Sequence, residues 1–369
     1  IKPTAPRSAA ATEQKAGQMK IYPYPSESAE KKLASIVNRG LTFRKKDQQA
    51  VTRILEDVRR HGDEALIRYT RQFDAPGLTI EQLRTSLEEI KEAGKSVDRA
   101  FRRALNRAAA QIEAFHRRQL PQSWIVSDRP GTLLGQMVHP VKRAGIYVPG
   151  AKGGKTPLVS SVLMGAIPAK IAGVEEIVMA TPPMEDGTID AHLLAAARKV
   201  GVDNIFKVGS AWAVGAMAYG TETIPKVDVI VGPGNIFVTL AKKLVAGTVG
   251  IDMIAGPSEI LVIADEKADP RFAAADLLSQ AEHDPLSSAI LITPSRPLAE
   301  AVTAQVKEQI GLLSRKEIAA ESIRRFGAVL VVSDLAAAAA LANRIAPEHL
   351  ELQVESPFDL LPEIRNAGA

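Results

Sequence analysis

Two close pairs of polar residues stand out in the C-terminal half of the chain: Gln280 with His283, and Glu348 with His349. SQAEHD, Ser279 to Asp284, ends a helical pattern, so residues three apart fall on one side. A carboxamide oxygen and an imidazole nitrogen suit zinc, but two ligands do not make a zinc site. A buried histidine satisfied within the core is the plainer reading of His283. APEHLEL, Ala346 to Leu352, sets Glu348 and His349 directly after a proline. The proline biases Ala346 away from helix and puts the pair on a turn at a sheet edge. An acid beside an imidazole is a candidate general-base pair, because their environments can separate their pKa values. AGPSE, Ala255 to Glu259, carries Ser258 in a turn. No Gly-x-Ser-x-Gly elbow surrounds it, so it is read as a hydroxyl for substrate rather than a nucleophile.

Two glycine-bearing turns invite a ligand. VGPGN, Val231 to Asn235, follows a strand and precedes a helix, where parallel sheets bind ligands. On pattern alone Asn235 is a helix cap first and a ligand contact second. PGAKGGKTP, Pro149 to Pro157, is one residue short of a phosphate-binding loop. It reads as a mobile loop whose lysines attract an anion. No G-x-G-x-x-G opens a helix after a strand, so periodicity alone implies no dinucleotide cofactor.

The elements that must position these residues are of two kinds. From about residue 47 the apolar period is helical, with Val51, Ile54, Leu55 and Val58 on one face and a break at His61-Gly62. A helix over GDEALIRYTRQF follows, another opens at Thr79, and a longer one carries Phe101, Leu105, Ala108, Ile112 and Phe115. Residues 121–141 read as extended. After Gly145 strands and helices alternate, with apolar runs at 145–149, 176–181, 204–208, 227–231, 259–264, 289–293 and 328–332. Short strands that are apolar on both faces, with helices between them, predict parallel sheets covered on each side. Seven such strands after a helical block suggest two α/β units. Ile251 to His283 spans a turn, a strand, a second turn and the helix that delivers Gln280 and His283.

Composition narrows the classes. At 369 residues the chain suits two or three domains. It contains no cysteine, which excludes thiolate chemistry and Cys-rich metal sites and fits a reducing, cytoplasmic compartment. The net charge of +4 is interspersed rather than striped, so a nucleic-acid partner is not expected. No stretch has the roughly 18 apolar residues of a membrane span. Residues 1–18 lack apolar periodicity and are expected to be disordered, with MKIYPYP from Met19 reading as a natural start.

Taken together, GIYVPG, SSVLMGAIPAKIAGV, AYGTETIPKVD, VGPGN, APEHLEL and the whole of Ile251–His283 resemble the histidinol dehydrogenase family, in its order and at about its spacing, over roughly residues 45–369. The resemblance implies an α/β fold of two incomplete Rossmann-like domains with an N-terminal helical segment. The boundaries expected are an arm over 1–44, a first domain of 45–145 plus 256–369, and a second, NAD-side domain over 146–255. It implies oxidation of L-histidinol through histidinaldehyde to L-histidine with reduction of two NAD, by a zinc-dependent homodimer. By position, Gln280 and His283 resemble zinc ligands and Ser258 a substrate contact. His349 resembles the base for the alcohol, Glu348 the base that activates water, and Tyr147 and Asn235 NAD contacts. Three departures from the family pattern stand out. The loop after Gly150 is longer. Trp212 stands where the family has a glutamine that contacts NAD. The chain ends at Ala369 ahead of a region that carries the remaining zinc ligands and a substrate-binding Glu. Two alternatives follow from these departures: a related dehydrogenase of another amino alcohol or polyol, and a non-catalytic fragment.

Overall fold

The structure, a computed structural model, describes residues 19–39, 44–150, 157–254 and 256–369. The expected disordered segment 1–18 and the centre of the lysine-rich loop, 151–156, lie outside them. The chain divides into two compact units, residues 1–42 with 256–369 and residues 43–255. No helix among the described residues is long and apolar enough to cross a membrane.

The first unit opens with β1, Ile21–Pro23, and α1, Glu27–Val37. Ser26 caps α1 by accepting from the Ala29 N–H at 3.2 Å, and Ala29, Leu33 and Ile36 form its buried stripe.

In the second unit, α2, Lys45–Phe73, bends at Gly62, where φ is 48° and ψ is −128°. The two helices expected there, with a break at His61-Gly62, are thus present and meet at this kink. That positive φ is why glycine is required, and the Glu222 carboxylate, which accepts from the Asp63 N–H, fills the space a Cβ would enter. Thr79 heads only a single 3₁₀ turn, Ile80–Gln82. The next helix, α3, Leu87–Ser96, starts at a Ser86–Glu89 capping box. It is followed by α4, Arg99–His116. The extended segment forms a hairpin of β2, Trp124–Arg129, and β3, Thr132–Gln136. Its Ile125, Leu133 and Leu134 are exposed.

The sheet of this unit consists of β4, Arg143–Tyr147; β5, Glu176–Thr181; β6, Asn204–Lys207; β7, Val229–Val231; and β8, Gly250–Ile251. The helices among them are α5, Val159–Ala172; α6, Ala191–Lys199; α7, Ser210–Tyr219; and α8, Ile236–Val245. All pairings are parallel, in the order β6-β5-β4-β7-β8. One correction to the sequence reading arises here. The helical block was joined to residues 256–369, but it packs on this sheet instead. Val51, Leu55 and Val58 of α2 share a core with Ala211, Val214 and Met217 of α7, and α3 and α4 join the core beneath α5 and α6. The period shows that a stripe must be buried but not against which sheet. The small residues of α7 offer the flat surface that α2 fills.

The chain then returns to the first unit with β9, Glu259–Ala264; α9, Pro270–Ala281; β10, Ser288–Thr293; α10, Arg296–Ile310; α11, Lys316–Phe326; β11, Gly327–Val331; α12, Leu335–Ile345; β12, His349–Gln353; and α13, Pro357–Leu360. These strands and β1 form an all-parallel sheet in the order β1-β11-β10-β9-β12. In β9, Ile260, Val262 and Ala264 face the core that holds α9, while Leu261 and Ile263 face the one that holds α1 and α12. That two-sided burial is why the run reads as continuously apolar.

Candidate active site

Strand β12 lies at the sheet edge, aligned with β9 so that His349, Glu351 and Gln353 stand beside Ile260, Val262 and Ala264. Aligned residues of parallel neighbours point to the same face. The face that α9 covers with apolar residues over β9 thus becomes polar at the edge, and His349 is its first member. His349 is half-buried, and its ring makes no hydrogen bond to another described residue. Its Nε2 lies 3.9 Å from Glu348 Oε1, too far for a direct bond.

Glu348 occupies the turn ahead of β12. Ala346, before the proline, ends α12 in the left-handed region at φ 52° and ψ 62°, a conformation that costs a non-glycine residue about 1–3 kcal/mol. The turn is held on two sides. Glu348 Oε2 accepts from the Glu259 N–H at 3.1 Å, and the Glu348 N–H donates to Glu259 Oε2 at 3.2 Å. On the other side the Ala369 N–H donates to the Glu348 carbonyl and the Leu350 N–H to the Ala369 carbonyl, both at 2.9 Å. Ser258 precedes β9 and strand pairing sets His349 beside Ile260, so the reciprocal pair holds Glu348 at the edge those two residues share. Ser258 is half-buried, and its carbonyl accepts from the Ser288 N–H at 3.0 Å.

Helix α9 supplies Gln280. Asp269 caps it, Pro270 opens it, and Ala273, Ala274, Leu277, Leu278 and Ala281 bury one side. That leaves Asp276 and Gln280 on the flank. The helix ends at Ala281, so His283 sits on the turn beyond, its N–H donating to the Gln280 carbonyl at 3.1 Å. His283 is exposed, which rules out the buried-core reading. The side chains of Gln280 and His283 make no hydrogen bond to another described residue. Their donor atoms match zinc in type, but they are two of the four a tetrahedral site takes. Among the described residues, no group of three or more His, Asp or Glu is placed to hold a metal.

Asp276 and Gln353 tie the helix to the strand. Gln353 Nε2 donates to Asp276 Oδ2 at 2.8 Å and to Glu351 Oε2 at 2.9 Å. One helical turn from Asp276 to Gln280, and two strand residues from Glu351 to His349, are each about 6 Å along antiparallel directions of the chain. Both steps lead toward the amino ends of the strands. Burial pushes the Glu351 carboxyl above the usual range, and the Asp276 charge adds to this, against the bond from Gln353. The fold then keeps a proton that the unfolded chain has lost, so this group's contribution to stability falls as pH rises. Glu351→Gln removes the loss. Its urea midpoint relative to the parent's is expected to climb as pH rises through and above the ordinary carboxylate range, and a pH-independent difference would sink the assignment.

In the second unit Tyr147 and Asn235 lie at the carboxyl ends of strands, opposite in sense to the first unit's site. Tyr147 ends β4, is buried, and accepts from the Ser210 N–H at 3.1 Å. Burial pushes its hydroxyl up to about 12, so the phenol stays neutral. Asn235 caps α8, its Oδ1 accepting from Phe237 and Val238 at 3.0 and 3.1 Å. Gly232, at φ +116°, packs so tightly that a Cβ would lie 2.1 Å from the Tyr147 carbonyl oxygen. Lys242 donates to the Gly232 carbonyl at 2.9 Å and pairs with Asp252, which accepts from the Gly232 N–H. The glycines of this turn thus serve close packing. Trp212 is core rather than surface, stacked between Tyr69 and Phe73 with centroids 5.7 and 5.6 Å away.

The sequence reading missed Glu259, Asp276, Glu351 and Gln353. For Glu259 the available signal was a charge at the head of an apolar strand. For Glu351 and Gln353 it was the polar alternation HLELQ at an edge.

Comparison with known proteins adds the lineage. The family model described as histidinol dehydrogenase matches residues 38–369. The histidinol dehydrogenase of Desulfotalea psychrophila is 53% identical over 337 residues, covering 91% of this chain and 78% of the relative. That of Syntrophotalea carbinolica is 55% identical, covering 91% and 77%. The crystal structure of histidinol dehydrogenase from Elizabethkingia anophelis superposes with a TM-score of 0.88 at 38% identity, covering 95% of this chain and 79% of that one.

Proposed function

The chain belongs to the histidinol dehydrogenase family, and we propose how its own residues divide that reaction. It is an oxidoreductase of histidine biosynthesis that acts on histidinol. In our reading the alcohol carbon of L-histidinol gives up two hydrides, one to each of two NAD, and one water enters between the steps. Alcohol, water and two NAD become carboxylate, two NADH and three protons.

His349 takes the hydroxyl proton in the first step. Its ring is half-exposed and unengaged, so a lone pair is available to a substrate at the strand's edge. Glu348 takes a proton from the water that attacks the aldehyde, through Oε1, since Oε2 is held by the Glu259 N–H. Ser258 holds the substrate beside them. Gln280 and His283 would hold zinc, together with further donors. When bound, zinc supplies Lewis-acid polarisation of the substrate hydroxyl. Tyr147 and Asn235 serve the NAD side by fixing the start of α7 and the Val231–Asn235 turn through the bonds already described. The observation that carries this reading is the reciprocal Glu259–Glu348 pair, which sets the acid at the edge where Ser258 precedes β9 and strand pairing seats the imidazole.

The test is steady-state NADH formation from L-histidinol with zinc added. Two NADH per histidinol are expected, and none would defeat the reading. The alternative substrate drew its support from Trp212 and the loop, and Trp212 is a packing residue. A homodimer is also proposed, because the β2–β3 hairpin leaves Ile125, Leu133 and Leu134 between 62% and 74% exposed in this chain. Sedimentation equilibrium showing a monomer would remove it. A cytosolic setting is proposed from the absence of cysteine and the biosynthetic reaction, and recovery of the native protein from an extracytoplasmic fraction would overturn it.

A further inference from the structure

We propose that Arg39 and Glu259 are positioning residues for the water-activating carboxylate, acting on the second oxidation and not the first. The proposal rests on the reading of Glu348 given above. It starts from a cation where none would be expected. The Arg39 side chain, just past α1, is only 4% exposed. A buried guanidinium needs its donors satisfied, and this one spends them in three directions. Nε donates to the Leu286 carbonyl at 2.9 Å, Nη1 to the Ile36 carbonyl at 2.6 Å, and Nη2 to Glu259 Oε1 at 2.7 Å. Two backbone carbonyls therefore fix the fork, and the fork fixes Glu259.

Glu259 passes that constraint on. With Oε1 held by Arg39, its Oε2 faces the Glu348 N–H at 3.2 Å, while its own N–H reaches Glu348 Oε2 at 3.1 Å. The two glutamates form a closed ring of backbone-to-carboxylate bonds between the head of β9 and the turn before β12. Arg39 supplies the charge that lets Glu259 lie so near a second carboxylate. A cavity of about 140 Å³, lined by Arg39, Glu259, Ser288, Ala346 and Pro347 among others, leaves the strained turn room to shift if the ring opens. The ring holds Glu348 Oε2 and leaves Oε1 directed toward His349. Loss of the ring would let the Glu348 carboxylate rotate away from the water it must deprotonate. His349 is seated by strand pairing with β9 and does not depend on the ring.

The experiment compares the two half-reactions in the zinc-loaded protein, with L-histidinol and with histidinaldehyde as substrates. Glu259→Gln keeps the side chain's shape and the backbone clamp but turns an amide N–H2 toward a donor. Arg39→Met removes the fork, and Arg39→Lys keeps one charged donor. The expected result for Glu259→Gln and Arg39→Met is a fall of about 10- to 100-fold in kcat on the aldehyde with KM nearly unchanged. Oxidation of the alcohol to the aldehyde should fall by less than about threefold, and NADH per histidinol should drop from two toward one. Arg39→Lys should recover part of the loss. Equal losses in both half-reactions, or none, would overturn the proposal. Should Arg39→Met fail to fold, Glu259→Gln decides alone. Glu348→Gln separates the two ideas: if it spares the aldehyde step, the reading of Glu348 falls. If it abolishes that step while Glu259→Gln does not touch it, only the positioning role falls.

Discussion

His349→Asn is expected to lower the rate of NADH formation from L-histidinol by about 10²- to 10⁴-fold, with KM within a few-fold of the parent's. The size follows from what asparagine keeps and what it loses. An amide nearly matches the imidazole in length and donates a hydrogen bond, so the edge of β12 and its pairing with Ile260 should survive. It has no lone pair of useful basicity. The side chain is 43% exposed, and its ring makes no hydrogen bond to a described residue, so the change should disturb little of the fold. Loss of rate without loss of stability is therefore the signature of a base. Full activity in this variant would show that the proton leaves by another route, and a parallel collapse of stability would make His349 a structural residue.

Strand–helix alternation after residue 143 was legible because the central strands, such as β5 and β9, are buried on two faces and helices such as α10 bury a stripe, and both periods survive in the letters. Boundaries agreed within a few residues, as at Glu176–Thr181 and Glu259–Ala264. Two features were illegible for physical reasons. β1 has three residues, too few to display alternation. The allegiance of the helical block depends on which surface complements Val51, Leu55 and Val58, a property of α7 rather than of α2.

The site was legible as residue types and not as a network. Glu348 and His349 announced themselves by their chemistry beside a proline, but nothing local pairs Glu348 with a residue 89 positions earlier. The general rule about carboxyl ends of strands directs attention to Tyr147 and Asn235 and away from the first sheet, where Ser258, Glu348 and His349 gather at the amino ends. His283 was expected on the helix face and lies past its end, exposed. Asn235 shows the converse, since the plainer cap reading is the one its two hydrogen bonds realise.

Trp212→Ala should cost about 3–5 kcal/mol of stability, the range for emptying a buried aromatic site. It should lower the melting temperature of the unit spanning 43–255 by roughly 10 °C, at about 2–4 °C per kcal/mol for a domain of that size. The indole is 4% exposed, lies stacked between Tyr69 and Phe73, and donates from Nε1 to Thr70 Oγ1 at 3.2 Å. Truncation would empty a space at the centre of the α2–α7 contact and leave the fully buried Thr70 hydroxyl without its donor. Trp212→Gln, which installs the residue that the family resemblance places there, should recover little, because a carboxamide fills less volume and brings polar atoms to be satisfied. If Trp212 only packs, the KM for NAD at a temperature where the variant is folded should stay within about twofold of the parent's. A tenfold rise in that KM with an unchanged melting temperature would return the indole to the cofactor and reopen the case for a different substrate.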